Sequence, residues 1–139
     1  MVGVCTLTTR WLAGELGGAP GVVTAAPLMT PNLGIEELVR SVLHDKPIRI
    51  LLLCGRDSRL FRQGQSLLAL ARNGVRARDR RIIGALGYRP YLRGLPVTDA
   101  EAFRSLVQVV DARNTLDPVV LRARIAAGRG PLSPSQAAS

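Results

Sequence analysis

Lysine is almost missing from this chain. Of its 19 basic residues, Lys46 alone is lysine and the others are arginine. Aromatic residues are also scarce, at 4%, so the core must be built from leucine, valine, isoleucine and alanine. A ladder of exposed rings, which a single-strand nucleic-acid binder uses for stacking, is excluded. The two cysteines, Cys5 and Cys54, lie far apart and form no CxxC pair. With a single histidine, His44, a zinc-binding Cys/His cluster is not expected, nor is a Ser-His-Asp triad. No apolar run approaches the roughly 20 residues of a membrane-spanning helix. No basic leader runs into an apolar segment with a cleavage site, and neither a P-loop nor a GxGxxG after a strand is present. These absences predict a soluble cytoplasmic protein with buried structural thiols.

What is present is a strongly basic chain of 139 residues, with a net charge of +9 and a pI of about 11.3. The length suits one domain. Arginine favours bidentate contact with phosphate and carboxylate. A nucleic-acid partner would show affinity falling steeply with salt. The arginines are dispersed, however, with dense clusters only at Arg76–Arg81 and Arg122–Arg124, and nucleic acid is not the expected partner.

Strand-like and helix-like segments alternate. Val2–Thr9, Gly21–Leu28, Ile48–Cys54 and Arg81–Leu86 read as strands, and Val107–Ala112 is a fifth candidate for which helix and strand compete. The unbroken apolar run at Ile48–Cys54 suits a parallel strand covered on both faces. Ala13–Gly21 reads as a glycine-rich loop. Ile35, Leu38, Val39, Val42 and Leu43 form one helical stripe, with Asn32 as its cap, Glu36 and Glu37 early in the helix, and Pro47 at its end. His44 falls near the C-terminus of this helix, on a solvated face where it complements the dipole. Gly64–Arg72 forms the next helix and Asn73-Gly74 stops it. Thr98-Asp99-Ala100-Glu101 reads as a capping box opening a helix with Phe103, Leu106 and Val107 inward. Asp117-Pro118 is an N-cap and N1 pair for a last helix to about Ala127. The expected fold is α/β, Rossmann-like and three-layered, with a mostly parallel sheet of about five strands. The domain spans 1–128, and 129–139 reads as a disordered tail.

The junction from Ile48 to Gly74 carries the functional reading. A strand, a polar loop with glycines and a helix meet there, and ligands bind outside the carboxyl ends of strands in such sheets. The expected cleft is lined by Thr6–Thr9, Pro27–Leu33, Gly55–Gln65 and Gly84–Tyr91. Gly64 allows close backbone approach. Gln65, Ser66, Thr30 and Asn32 offer hydrogen bonds, and the start of the helix offers N–H groups to an anion. Asp57 is the nearest candidate acid or base, although an exposed loop carboxylate is ordinarily just solvated. Cys54 reads as a small buried hydrophobe ahead of a turn glycine.

The ordered series Cys5-Thr6-Leu7, Asn32-Leu33-Gly34-Ile35-Glu36, Ile48-Arg49, Leu53-Cys54-Gly55, Gly64-Gln65-Ser66-Leu67, Asn73-Gly74, Arg81-Ile82-Ile83-Gly84-Ala85, Pro90-Tyr91, Phe103 and Val109-Val110-Asp111 resembles the cytoplasmic domain of the corrinoid-carrying A subunit of tetrahydromethanopterin S-methyltransferase. The likeness runs over about residues 2–127. It implies a Rossmann-like fold that binds a cobamide at the carboxyl edge of the sheet. The cobalt would take a methyl group from a methyl-tetrahydropterin and pass it to coenzyme M. Together with the cleft reading, it leads to expected cofactor contacts at Thr6, Thr30, Asn32, Gly55, Phe61, Gly64, Gln65, Ser66, Gly84, Ala85, Pro90 and Tyr91.

The chain departs from the family at Phe61, which stands where the family has its cobalt-ligating histidine. A phenyl ring has no lone pair to give a metal, whereas imidazole is a good ligand. Leu86 replaces a threonine and Gly94 an asparagine. The family's C-terminal apolar segment gives way here to a polar stretch, so no membrane span is expected. Three outcomes stay open: a corrinoid held without axial histidine, another planar or pterin-like ligand, or a regulatory subunit with a vestigial pocket. On the first, the expected role is a cobalamin-binding methyl carrier whose partner methyltransferase supplies catalysis.

Overall fold

The computed structural model describes residues 1–45 and 48–129. Four strands form one parallel sheet: β1 (Val2–Cys5), β2 (Val22–Ala26), β3 (Ile50–Leu53) and β4 (Gln108–Asp111), in the order β2-β1-β3-β4. Five helices accompany them: α1 (Arg10–Leu16), α2 (Leu33–Arg40, continued by a π-helical turn Ser41–Asp45), α3 (Gln63–Asn73), α4 (Val97–Leu106) and α5 (Pro118–Arg129). The α/β class and parallel sheet are as expected, with four strands rather than about five.

The layers follow from the two-residue period of the strands. Val2 and Val4 of β1, with Leu52 of β3 and Cys54, face α1 and α5 and pack with Leu12, Leu16, Leu121 and Ile125. Cys5, Leu51 and Leu53 face the other way, against Ile35, Val39, Leu67, Leu70 and Phe103. Both faces of β1 and β3 are therefore covered, which is why the apolar run at 48–54 does not alternate with polar residues. β2 is an edge strand, and its residues stay partly accessible.

The second half of α1, Ala13–Leu16, falls in the segment expected as the glycine-rich loop Ala13–Gly21. Gly14, Gly17 and Gly18 hide its pattern, but Leu12 and Leu16 sit one turn apart and are fully buried. Burying each contributes about 1.5–3 kcal/mol, enough to offset the single glycine, Gly14, inside a seven-residue helix.

Arg81–Leu86 is not a strand. It makes only isolated antiparallel bridges, Val75 with Ile82 and Arg81 with Tyr91, because the chain folds back at Gly84, at φ +85°. The Thr98–Glu101 capping box does not form either. Pro96 takes the N-cap position, and its carbonyl accepts the N–H groups of Asp99 and Ala100 at 3.0 and 3.2 Å. Glu101 pairs instead with Arg104 at 2.9 Å. Phe103 and Val107 point inward as expected, but Leu106 is 46% exposed.

Other local readings hold. The segment 107–112 resolves to strand β4. The Asp117 side chain accepts the Val119 N–H at 2.9 Å, and α5 begins at Pro118. Asn32 caps α2 by accepting from Leu33, while Thr30 Oγ1 takes the Gly34 N–H. His44 is exposed in the π-helical turn, 3.7 Å from Asp99. The stop at Pro47 and the tail 130–139 lie outside the described residues.

Candidate functional site

The chain leaves β1 towards β2 on one side and then crosses back to β3 and β4 on the other. The order reverses between β1 and β3, so the crevice outside their carboxyl ends is the topological switch point. Two loops meet there, Thr6–Thr9 after β1 and Cys54–Arg62 after β3. They are joined by hydrogen bonds. Thr8 donates to the Arg56 carbonyl from its N–H (3.1 Å) and its hydroxyl (2.7 Å), and the Arg56 N–H donates to Thr9 Oγ1 at 3.0 Å.

The start of α3 is closed in the same way. Asp57 accepts the N–H groups of Gly64 and Gln65, both at 2.9 Å, and lies 3.9 Å from Arg113. Those donors, expected to face an anion, already hold a carboxylate. Asp57 therefore caps a helix; its position seven residues upstream of Gly64 gives no local capping signal. Gln65 is a strap: its amide donates to the Gly84 carbonyl (2.9 Å) and accepts from the Leu86 N–H (2.8 Å). Gly64 is buried with a structural neighbour, since a β-carbon there would lie 2.9 Å from Leu7 Cδ1.

Phe61 stands two residues before α3, half-buried. Its ring meets Tyr88 edge-on, with centroids 6.1 Å apart and planes at 71°. Tyr88 N–H donates to the Leu60 carbonyl at 3.1 Å. Gly87 makes this junction: any β-carbon there would fall on the Phe61 carbonyl. Leu60, Leu86 and Tyr88 are exposed around the pair. Arg89 lies over the Tyr88 ring, 5.2 Å from its centroid.

The twelve residues singled out above fall into three groups. Thr6, Gly55, Phe61, Gly64, Gln65 and Gly84 gather at the loops around the switch point and the start of α3. Thr30, Asn32 and Tyr91 lie on the α2 side. Ser66, Ala85 and Pro90 are buried; Ser66 shares the core-facing stripe of α3 with Gln63, Leu67 and Leu70, all fully buried.

Two features mark the carboxyl edge. First, among the described residues, five non-glycine residues have left-handed backbone, and four of them (Leu7, Arg62, Arg89 and Asn114) lie in its loops. Each costs about 1–3 kcal/mol, and such strain concentrates at functional sites. Second, the buried Thr6 Oγ1, Gln63 Oε1 and Ser66 Oγ have no hydrogen-bond partner among the described residues, although Gln63 Nε2 donates to the Leu28 carbonyl at 2.9 Å. All three belong to segments that abut the switch point. Sequence reasoning did not single out Gln63, Tyr88, Arg89 or Arg93.

Open space lies on the α2 flank. A cavity of about 450 Å³ runs between α2 and the β1–β2 part of the sheet, lined by Cys5, Thr24, Ala26, Leu28, Leu33 and Leu51 among others. A cleft of about 630 Å³ separates α2 from the Arg89–Gly94 turn.

Both thiols are buried. Burial pushes Cys5 up to about 12, with a smaller contribution from Cys54, and burial alone does the same to Cys54. These are inert core groups rather than nucleophiles. At the carboxyl edge, the hydrogen bond from Arg113 holds Asp111 below the usual carboxylate range.

A parallel, doubly wound sheet with a strained carboxyl edge defines an α/β domain with a topological switch point, the place where ligands bind in such sheets. Over residues 1–129 the sequence matches the family of the A subunit of tetrahydromethanopterin S-methyltransferase, and the chain belongs to that family. It is 41% identical over 105 residues to the A 2 subunit of tetrahydromethanopterin S-methyltransferase from Methanothermobacter marburgensis, covering 76% of this chain and 57% of that protein. It is 33% identical over 111 residues to the A 1 subunit from Methanobrevibacter ruminantium, covering 80% and 45%. It is likewise 33% identical over 111 residues to the A subunit of a putative methyltransferase, Mtx, from Methanosarcina mazei, covering 80% and 64%. The chain spans about half the length of most of these relatives. Among the described residues, no helix is long and apolar enough to cross a membrane.

Proposed function

We propose that this chain is a corrinoid-binding methyl carrier, working with a partner methyltransferase in methyl transfer from a methyl-tetrahydropterin. The observation that carries the reading is the placement of Phe61. In a chain of this family, Phe61 stands in the loop after β3, beside the switch point, and forms an aromatic wall with Tyr88.

The fit to a corrinoid is one of packing. The half-buried Phe61, with exposed Tyr88, Leu60 and Leu86, offers an apolar face to a flat macrocycle. Phe61 offers no axial lone pair, and His44 stands near the opposite edge of the sheet, where α2 and its π-helical turn run down towards β3. When bound, a corrinoid supplies a cobalt centre that accepts and releases a methyl group. The chain's own residues bind and shield. Gln65 holds the Gly84–Leu86 turn against α3, and Asp57 fixes the loop that carries Phe61. With Asp57 engaged as a cap, general acid or base chemistry falls to the partner protein.

Purified protein mixed with cobalamin is expected to change the visible spectrum and to keep the cofactor through desalting. If neither happens at micromolar cobalamin, this reading fails. Phe61→His is expected to tighten binding and to move the spectrum towards an imidazole-ligated form. An unchanged spectrum would mean that residue 61 does not face the cobalt.

A second reading has its own support. The side chains of Gln65 and Asp57 are already spent on internal bonds, as suits a regulatory protein or a binder of a smaller planar ligand. Absence of cobalamin binding by both the native chain and Phe61→His favours it.

A further inference from the structure

We infer that the cleft between α2 and the Arg89–Gly94 turn is a ribose-phosphate site. The cleft holds about 630 Å³ and is lined by Asn32, Glu36, Arg89, Tyr91, Arg93 and Gly94, with Leu33 at its rim.

Its floor is the Glu36 carboxylate. The Glu36 side chain is only 5% exposed, yet neither oxygen accepts a hydrogen bond among the described residues. Its nearest cation, Arg40, is 3.7 Å away, and that guanidinium is drawn off towards the Gly94 carbonyl at 3.4 Å. The carboxylate oxygens therefore remain able to accept from a group entering the cleft. Gly94 leaves room for it, since a β-carbon there would fall on Glu36 Oε1. A ligand that brings hydroxyl donors to this floor gains charge-assisted bonds that the protein does not make for itself.

The mouth has the opposite character. Arg93 lies 4.6 Å from the centroid of the Tyr91 ring, and Arg89 is stacked on Tyr88. Neither makes an ion pair among the described residues. Stacking pre-orders both guanidiniums and leaves their N–H edges for an anion. Two guanidiniums, Arg89 and Arg93, oppose one carboxylate, so the cleft lining carries one positive charge in excess. A phosphate ester anion matches that excess. The Tyr91 ring adds an apolar surface between the two ends.

The ligand chemistry is thus a phosphate ester on a sugar that keeps a free hydroxyl. It has two sources: a free nucleotide or sugar phosphate, or the ribose-phosphate tail of a corrinoid. The second source rests on the proposed function, and the first does not.

Calorimetry at low salt with AMP, ribose 5-phosphate, adenosine and inorganic phosphate tests the first source, and cobalamin against cobinamide, which lacks the tail, tests the second. In the first arm AMP and ribose 5-phosphate are expected to bind at least about tenfold more tightly than adenosine or phosphate alone. In the second arm cobalamin is expected to outbind cobinamide by a similar factor. Arg93→Ala and Glu36→Gln, checked for an unchanged circular dichroism spectrum, are expected to abolish whichever preference is seen. The inference is overturned if no phosphate ester binds at millimolar concentration and cobalamin shows no advantage over cobinamide. It is equally overturned if both variants keep the native preference. Failure of cobalamin and cobinamide alike to bind removes the corrinoid reading but leaves the nucleotide arm to decide this one.

Discussion

The β1/β3 switch point and the α2 flank are the two places where this domain could hold a ligand, and they are built in opposite ways. At the switch point the loops are tied to each other by Thr8, Thr9 and Arg56, and the start of α3 is occupied by Asp57. The side chains of Thr8, Thr9, Asp57 and Gln65 are spent there on internal bonds, and the left-handed Leu7, Arg62 and Asn114 hold the backbone under strain. On the α2 flank β2 is an edge strand with short side chains, and two open spaces remain. Topology selects the first place, whereas free volume selects the second. A domain can keep a switch point as a rigid platform for a flat partner while the cavities beside it take a smaller group.

That contrast can be broken by experiment, most forcefully at the platform. Gly87→Val forces a side chain onto the Phe61 carbonyl, so it is expected to destabilise the fold by about 1–3 kcal/mol, as overpacking does. Urea denaturation measures this, and an unshifted midpoint would show that the 84–91 turn is not seated on Phe61. Asp57→Ala removes the acceptor for two helix N–H groups and is expected to cost about 0.5–2 kcal/mol, in the range of a lost cap. Its loss should also loosen the Phe61 loop, read as faster amide exchange at Gly64 and Gln65.

The core beneath both regions gives a subtler test. Cys5 and Cys54 are pushed from an ordinary 9.0 to about 12 by burial. Between these values the unfolded chain loses protons that the folded chain retains, so unfolding becomes more favourable as pH rises. This stabilising contribution is complete below pH 9 and is lost as pH climbs towards 12. Thermal melts from pH 7 to 10.5 are expected to fall in the alkaline range, and to fall less in a variant with alanine at both positions. Neither thiol should react with a disulfide reagent until the protein unfolds.

The smallest effect belongs to the flank. Thr24→Val, on the edge strand and in the 450 Å³ cavity lining, is expected to change stability by no more than about 0.5 kcal/mol, since it disturbs no packed or hydrogen-bonded contact. A loss as large as that of Asp57→Ala would mean that the flank is as tightly built as the platform, and the contrast would collapse.

How far the sequence reaches differs between fold and site. The Ile48–Cys54 run, the Ile35–Leu43 stripe and the Asp117-Pro118 start were legible because each signal lies within one turn or one strand. The glycines within and just after α1 masked its helix. Pro96 displaced the Thr98–Glu101 box because a cap competes with its immediate neighbours for the same N–H groups. At the site, Phe61 was legible by counting from Gly64-Gln65, and the family likeness placed it. The roles of Asp57, Gln65 and Glu36 were not legible, since each depends on a loop that arrives from elsewhere in the chain.

By itself, the amino-acid sequence determined the alternation of strands and helices, a parallel sheet buried on both faces, an aliphatic core and membership of one family. The first three are properties of periodicity and composition, which act over a few residues at a time; the family is carried by the ordered motifs from Cys5-Thr6-Leu7 to Val109-Val110-Asp111. Only the tertiary structure decided that residues 81–86 would fold back instead of adding a strand, that Asp57 would cap α3, and that Gln65 would be a strap instead of an open hydrogen-bonding group. It also decided that Glu36 would lie buried under the Arg89–Gly94 turn. These outcomes depend on which distant backbone groups reach a polar side chain first, and only the assembled chain brings them within hydrogen-bonding distance.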